Sequence, residues 1–370
     1  MRLLHVTAGN LFGGIERMVL DLAAADGGTL TNDVAVCFEG RLAGELRRAG
    51  RVPHVIGGAH FSMPPTVWRA RRMLGRTVRE GGYDAVVFHA PWSYALGAEA
   101  VEGDVLRLLW MHDAPQPDHW IERRATRQPP HGLICNSRWT DERAGAWLPR
   151  LPRWIIHPPV AAPAADALVR ARVRSQLGAT GRSIIILSAS RMERWKGHAR
   201  LVRAAARLHG DTRVWIAGGP QRPHERGYLR ELRRVVHEAG LGARVSFLGE
   251  RDDVPSLMQA ADIVCQPNVT PEPFGIAFVE ALYAARPVVT TALGGAVEIV
   301  SPECGILLAP DDDAALAAAL QHLVDDEPLR RSLGAPGPPR ARALCDPAAQ
   351  AARLSAVVRS FRMEPAEARC

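Results

Sequence analysis

The chain has 370 residues, 47% hydrophobic and 23% charged, and its 46 basic side chains outnumber 39 acidic ones for a formal net charge of +7. That length is more than one compact core usually organises, and it predicts two domains of roughly 150–200 residues each. The longest apolar runs fall far short of the roughly 18–20 residues that cross a bilayer, which excludes a transmembrane helix, and the opening MRLLHVTAGNLFGG lacks the apolar stretch of a signal peptide.

Strand-like apolar runs alternate with helical-period segments along the chain, the pattern of βαβ units and a parallel sheet. The first half offers strands at Leu3 to Val6, Val34 to Phe38, Ala85 to Phe88, Leu106 to Met111 and Leu133 to Cys135. The second half starts afresh with Ile184 to Leu187, Val214 to Ala217, Val245 to Leu248, Ile263 to Gln266, Val288 to Thr290 and Ile306 to Leu308. The proline-dense stretch HPPVAAPAADA, 157–167, separates the two sets and marks a linker. The expected architecture is α/β, two Rossmann-like, doubly wound domains: 1–165, and 178–346, with a closing helix at about 347–370 that returns to the first. Ligands of such sheets bind beyond the carboxyl ends of the strands, which places the expected site in a cleft between the two domains.

Six cysteines (Cys37, Cys135, Cys265, Cys304, Cys345, Cys370) form no CxxC pair and predict a reduced, cytoplasmic protein without a cysteine-based zinc site. The positive balance is compatible with nucleic acid, an anionic membrane or a phosphorylated small molecule. Nucleic acid is the weakest of these, because the basic residues are spread out and no aromatic-basic platform is visible. The helix PPTVWRARRMLGRTVRE carries Arg69, Arg72, Arg76 and Arg79 on one stripe and Val67, Ala70, Leu74 and Val78 on another, either a solvated face or a surface for an anionic membrane or acceptor.

After the first strand, TAGNLFGGIERMVLDLA reads as a glycine-rich turn feeding a helix that starts near Gly14. Its N-terminus presents unpaired N–H groups and a positive dipole end, so Gly13 and Gly14 either form a tight turn or approach an anion or sugar. Among the basic residues 45 are Arg and one, Lys196, is Lys. Lys196 lies with Arg191 in SASRMERWKG, between a buried strand and a helix starting around Gly197, where two cations suit a diphosphate.

The segment TPEPFGIAFVEALYAARPVVTT places Glu272 in a loop and Glu280 two turns into a helix expected over Phe274 to Ala285. Both carboxylates can face one ligand, and the first N–H groups, of Phe274, Gly275 and Ile276, point at whatever Glu272 touches. Carboxylates accept from sugar or ribose hydroxyls, and a charge on this apolar helix needs a partner. His89 and His112 end strands and His157 lies in the linker, each either a cleft residue or a hydrogen-bonded structural one. No metal-ligand spacing stands out, and Asp252, Asp253 and Asp311 to Asp313 are expected to cap helices.

Taken in order, FGGIE, MHDAP, SASRMERWKG, WIAGGP, VSFLGERDDVPSLMQAADIVCQPN, EPFGIAFVEA and TTALGGAVEIV resemble the family 4 retaining glycosyltransferases of the GT-B fold. The resemblance covers most of the chain and is strongest from Ile184 to Leu308. It implies a metal-independent enzyme without cofactor that moves a sugar from a nucleotide-diphosphate sugar to a hydroxyl acceptor with retention at the anomeric carbon. It further implies that Arg191 and Lys196 hold the diphosphate, that Glu280 binds the ribose, and that Glu272 with the backbone of Phe274, Gly275 and Ile276 positions the donor sugar. Gly13 and Gly14 would approach the donor from the first domain, and His112 matches the family's active-site histidine. Other readings of this architecture are a nucleotide-sugar 2-epimerase and a non-catalytic nucleotide-sugar binding protein. The expected location is cytoplasmic, with a peripheral contact at the inner membrane face as its membrane form.

Overall fold

A computed structural model describes residues 1–25, 30–164 and 166–363. Two compact units divide the chain: residues 1–161 together with the chain from Cys345 onward, and residues 162–344.

Seven parallel strands form the sheet of the first unit: β1 (Arg2–Thr7), β2 (Thr31–Val36), β3 (His54–Val55), β4 (Ala85–His89), β5 (Leu106–Met111), β6 (Gly132–Cys135) and β7 (Arg153–Ile155), in the order β3-β2-β1-β4-β5-β6-β7. The apolar runs foretell β1, β2, β4, β5 and β6. The edge strands β3 and β7 are too short for their alternation to register in the sequence. Every residue of β4 is buried, as is expected of a central parallel strand with helices on both faces. The helix Gly14–Ala24 buries Met18, Val19 and Leu22 on this sheet. The helix Pro64–Gly81 turns in the predicted Val67, Ala70, Leu74 and Val78, carries proline in its first turn, where a missing N–H costs nothing, and stops at Gly82 in the left-handed region.

In the second unit, β8 (Ile184–Ala189), β9 (Thr212–Ala217), β10 (Val245–Gly249), β11 (Ile263–Gln266), β12 (Val288–Thr291) and β13 (Gly305–Leu308) are also parallel, in the order β10-β9-β8-β11-β12-β13. All six overlap the expected runs. Ile186, Val214, Ile216 and Ile263 of the sheet pack with Leu201, Leu232, Leu316 and Leu320 from its helices.

Three local expectations are corrected. The helix expected over Phe274 to Ala285 runs only Ile276–Tyr283, because Gly275 at its N-cap has φ 108° and ψ 65°, which is not helical. Asp253 stands at the N-cap of Val254–Ala260, yet its carboxylate takes two bonds from Arg251, at 2.7 and 2.6 Å, rather than capping the helix. Asp312 does cap its helix through the Ala315 N–H, while Asp313 accepts from Arg200 and Arg203. The proline-rich GPPRARALC is itself a helix, Gly337–Cys345, with both prolines in its first turn. The closing helix, Pro347–Met363, buries Leu354 and Val358 and packs Phe361 against Trp154 of β7. The part of that expected helix beyond residue 363, with Cys370, lies outside the described residues; the other five cysteines are free and buried. Among the described residues no helix is long and apolar enough to cross a membrane.

In each sheet the strand order reverses once, between β1 and β4 in the first unit and between β8 and β11 in the second. The loops that leave these strands at their carboxyl ends form the topological switch point at which open α/β sheets bind ligands.

Candidate functional site

The switch point of the second unit gathers the motif residues. After β8 the chain passes Arg191, makes a short turn over Arg194–Lys196 and enters the helix His198–Ala205 through Gly197, whose φ is 77°. A Cβ at Gly197 would stand 2.0 Å from the carbonyl oxygen of Pro267, so only glycine lets this turn press against the segment that follows β11. The Val269 N–H donates to the Trp195 carbonyl at 2.8 Å and joins the two loops directly.

That junction puts Lys196 beside Glu272. The ammonium donates to Glu272 Oε2 at 2.8 Å and lies 3.9 Å from the ring centre of Trp195. Gln266 Nε2 and Asn268 Nδ2 donate to the same Oε2, both at 2.9 Å. The carboxylate is buried, with 8% of its side chain exposed, and these donors and the opposite charge offset its loss of water. All three contacts fall on Oε2, so Oε1 is the oxygen they leave to a ligand. Gln266 and Asn268 escaped the sequence reading, although alternate polar residues closing an otherwise apolar strand, in IVCQPN, were the available signal.

The loop after β12 grips Glu272 from the other side. Its N–H donates to the Leu293 carbonyl at 3.4 Å and its carbonyl accepts from Gly295 at 2.6 Å. A Cβ at Gly294, which has φ 69°, would come within 2.2 Å of the Glu272 carbonyl oxygen, so the glycine pair of TTALGGAVEIV is a steric requirement of the site. Gly275, Phe274 and Ile276 lie where Glu272 leads into its helix. Glu280 stands half-buried in that helix's second turn. Arg191 is held by an ion pair with Glu193 at 3.0 Å. His198 is fully buried, bonded to Ser190 Oγ at 3.0 Å, and burial with the nearby Lys196 charge pushes its pKa down to about 4.

The remaining candidates belong to the first unit. Gly13 caps the helix Gly14–Ala24 in extended backbone, with φ −155°, and its N–H is already taken by Glu16 Oε2 at 2.9 Å. An anion at this turn would therefore meet Gly14 and the next N–H groups rather than Gly13. His112 follows β5 directly and hydrogen-bonds His89 at 3.0 Å, while its main-chain carbonyl accepts from Asn136 Nδ2 at 3.2 Å. Burial pushes the His112 pKa down to about 3, so the ring is neutral at pH 7. His157 follows the end of β7 by two residues, at the start of the proline-rich stretch. Among the described residues no group of three or more His, Cys, Asp or Glu is placed to hold a metal ion.

Residues 169–338 match the family model described as glycosyl transferases group 1. Curated relatives include D-inositol 3-phosphate glycosyltransferases of Corynebacterium kroppenstedtii, 36% identical over 44% of this chain and 38% of the relative, and of Xylanimonas cellulosilytica, 32% identical over 54% and 48%. The chain thus spans less than half the length of these relatives in its matches. Among solved structures, HepE of Anabaena in complex with UDP and glucose superposes with a TM-score of 0.87 at 23% identity, covering 97% of this chain and 100% of that one. Sucrose-phosphate synthase of Thermosynechococcus elongatus does so with 0.79 at 22% identity, covering 98% and 99%. The fold shared with these neighbours is GT-B.

Proposed function

We propose that this chain, whose residues 169–338 match the model of glycosyl transferases group 1, transfers a sugar from a nucleoside-diphosphate sugar to a hydroxyl acceptor with retention and without a metal. The observation that carries this reading is the Lys196–Glu272 pair, locked at 2.8 Å across the switch point by a glycine on either side. A cation and a carboxylate fixed beyond the carboxyl ends of β8 and β11 suit a ligand that carries both phosphate and hydroxyl groups.

In the reaction the acceptor oxygen bonds to the anomeric carbon and the bond from that carbon to the β-phosphate oxygen breaks. The nucleoside diphosphate leaves, and its departing oxygen takes the acceptor's proton. Lys196 and Arg191 stabilise the negative charge that grows on the leaving group, an effect worth roughly 10²-fold or more per contact. Glu272 Oε1 and the backbone of Phe274, Gly275 and Ile276 hold the sugar, and Glu280 accepts from the ribose. The D-inositol 3-phosphate glycosyltransferase relatives support a small polyol or phosphorylated polyol as acceptor. The exposed arginines of Pro64–Gly81 support a peripheral contact with an anionic membrane, and the five free, buried thiols support a reducing compartment.

The test is thermal unfolding against a panel of nucleoside diphosphates and their sugars, each with and without EDTA. One base should raise Tm, with about 2.7 kcal/mol of stabilisation at a ligand concentration 100 times Kd, and EDTA should leave the shift intact. No shift from any member of the panel would reject the donor site.

A further inference from the structure

A line of hydrogen-bonded side chains crosses the first sheet through strands the sequence separates widely. Asn32 belongs to β2, His5 to β1 and His89 to β4, and His112 follows β5, so each residue stands one strand over from the last in the order β2-β1-β4-β5. Asn32 Oδ1 lies 3.1 Å from His5 Nε2, His5 Nδ1 lies 2.9 Å from His89 Nε2, and His89 Nδ1 lies 3.0 Å from His112 Nε2. The line begins within β2 and β1, crosses to the last residue of β4, and ends at His112, just past the carboxyl end of β5.

The direction of every bond follows from its anchor. Asn32 Nδ2 donates to the main-chain carbonyl of Leu22 at 3.1 Å, and a carbonyl can only accept, so the amide oxygen must face His5. His5 therefore donates from Nε2. A neutral imidazole carries one N–H, so its Nδ1 accepts and His89 donates from Nε2. By the same rule His89 Nδ1 accepts, His112 donates from Nε2, and His112 Nδ1 keeps its lone pair. Neutrality is enforced by burial, which pushes the His5 pKa down to about 4 and that of His112 to about 3, with His89 also far below its usual value.

Stacking and main-chain contacts hold the end of the line in place. The His89 ring lies 15° from the plane of His112 and 26° from that of Trp110. The main-chain carbonyl of His112 is held by Asn136, whose own amide is oriented by the Thr140 hydroxyl at 2.7 Å. Apolar side chains would fill this face of the sheet without the cost of burying the rings of His5 and His89 and the Asn32 amide, so the polar line needs a purpose other than packing.

We infer that Asn32, His5 and His89 are positioning residues that fix His112 in its Nε2–H tautomer, with Nδ1 presented as the acceptor for a substrate hydroxyl. The inference rests on the transferase reading for the substrate, but the tautomer does not depend on it.

Nitrogen-15 spectra of histidine-labelled protein at pH 7, read through the two-bond proton couplings, test the tautomer without any substrate. All three imidazoles should be neutral with the proton on Nε2; His112 found as the Nδ1–H form or as imidazolium overturns the inference. In His89→Phe, which keeps a ring on Trp110 but removes both bonds, His112 should become a mixture of tautomers. Its kcat for transfer should fall roughly tenfold or more while Kd for the nucleoside diphosphate stays unchanged. Retention of both the single tautomer and kcat in a folded His89→Phe would show that the line does not set His112. Should His89→Phe fail to fold, the wild-type spectrum decides alone; a wild type inactive with every donor would sink the transferase reading and leave the tautomer result standing.

Discussion

Lys196 has two tasks that a single substitution confounds. It is the cation proposed to meet the donor's diphosphate, and it is the charge that makes the buried Glu272 carboxylate tolerable. Lys196→Ala should therefore cut turnover by about 10²–10³-fold and also cost stability, since it leaves a buried carboxylate with only the two amide donors of Gln266 and Asn268. Glu272→Gln removes the charge that needed compensation. In the double variant stability should recover, with a coupling of about 1–3 kcal/mol, while activity stays lost. Denaturant unfolding of the two single variants and the double one measures this, and purely additive losses would show that the pair is not coupled. The lone lysine was visible in the composition. Its partner was not, because Lys196 and Glu272, 76 positions apart in the chain, are brought together only by β8 and β11 lying side by side.

The helix Pro64–Gly81 shows what periodicity alone can settle. Spacing identified its inward stripe and its arginine face, and the structure leaves Trp68 64%, Met63 55% and Met73 41% exposed beside those arginines. Arg76 is partly satisfied by Glu80 at 2.8 Å, whereas the Arg72 guanidinium stacks over Trp68 at 5.5 Å. Basic and large apolar side chains together are the make-up of a helix that rests in a lipid interface. Sedimentation with phosphatidylglycerol vesicles should carry the protein down at low salt, and phosphatidylcholine vesicles should not. Replacing Arg69 and Arg72 with Gln should weaken that binding roughly 30-fold, at about 1 kcal/mol per arginine. Equal behaviour with both lipids would leave this face as solvated surface. By contrast, the helix after Glu272 was overestimated at both ends, since the left-handed backbone at Gly275 that delays its start is imposed by the loop it leaves.

Across the whole molecule, the buried histidines couple stability to pH. His5, His89 and His112 in the first unit and His198 in the second all have pKa values lowered by burial. The unfolded chain, with imidazoles near pH 6.5, therefore binds protons that the folded chain refuses. Stability contributed by these groups is complete above about pH 6.5 and is lost as pH falls through the window between there and about 4, by up to about 1.4 kcal/mol per pH unit for each histidine. Melting followed by circular dichroism should show a flat Tm between pH 7 and 8 and a fall between pH 6.5 and 5. The fall should be shallower in a folded His89→Phe, and an unchanged wild-type Tm across the acid window would contradict the neutral buried line.

The sequence by itself determined the alternation of strands and helices, eleven of the thirteen strands, and the glycine, lysine and glutamate motifs that frame the second unit's switch point. These are local signals: apolar runs, helical spacing, and residues whose backbone or charge is unusual where they stand. Edge strands β3 and β7, the grip of Gln266, Asn268 and Gly294 on Glu272, and the line from Asn32 to His112 came only with the tertiary structure. Each depends on strands adjacent in space and distant in sequence, and a hydrogen bond across a parallel sheet leaves no periodic mark along the chain that makes it.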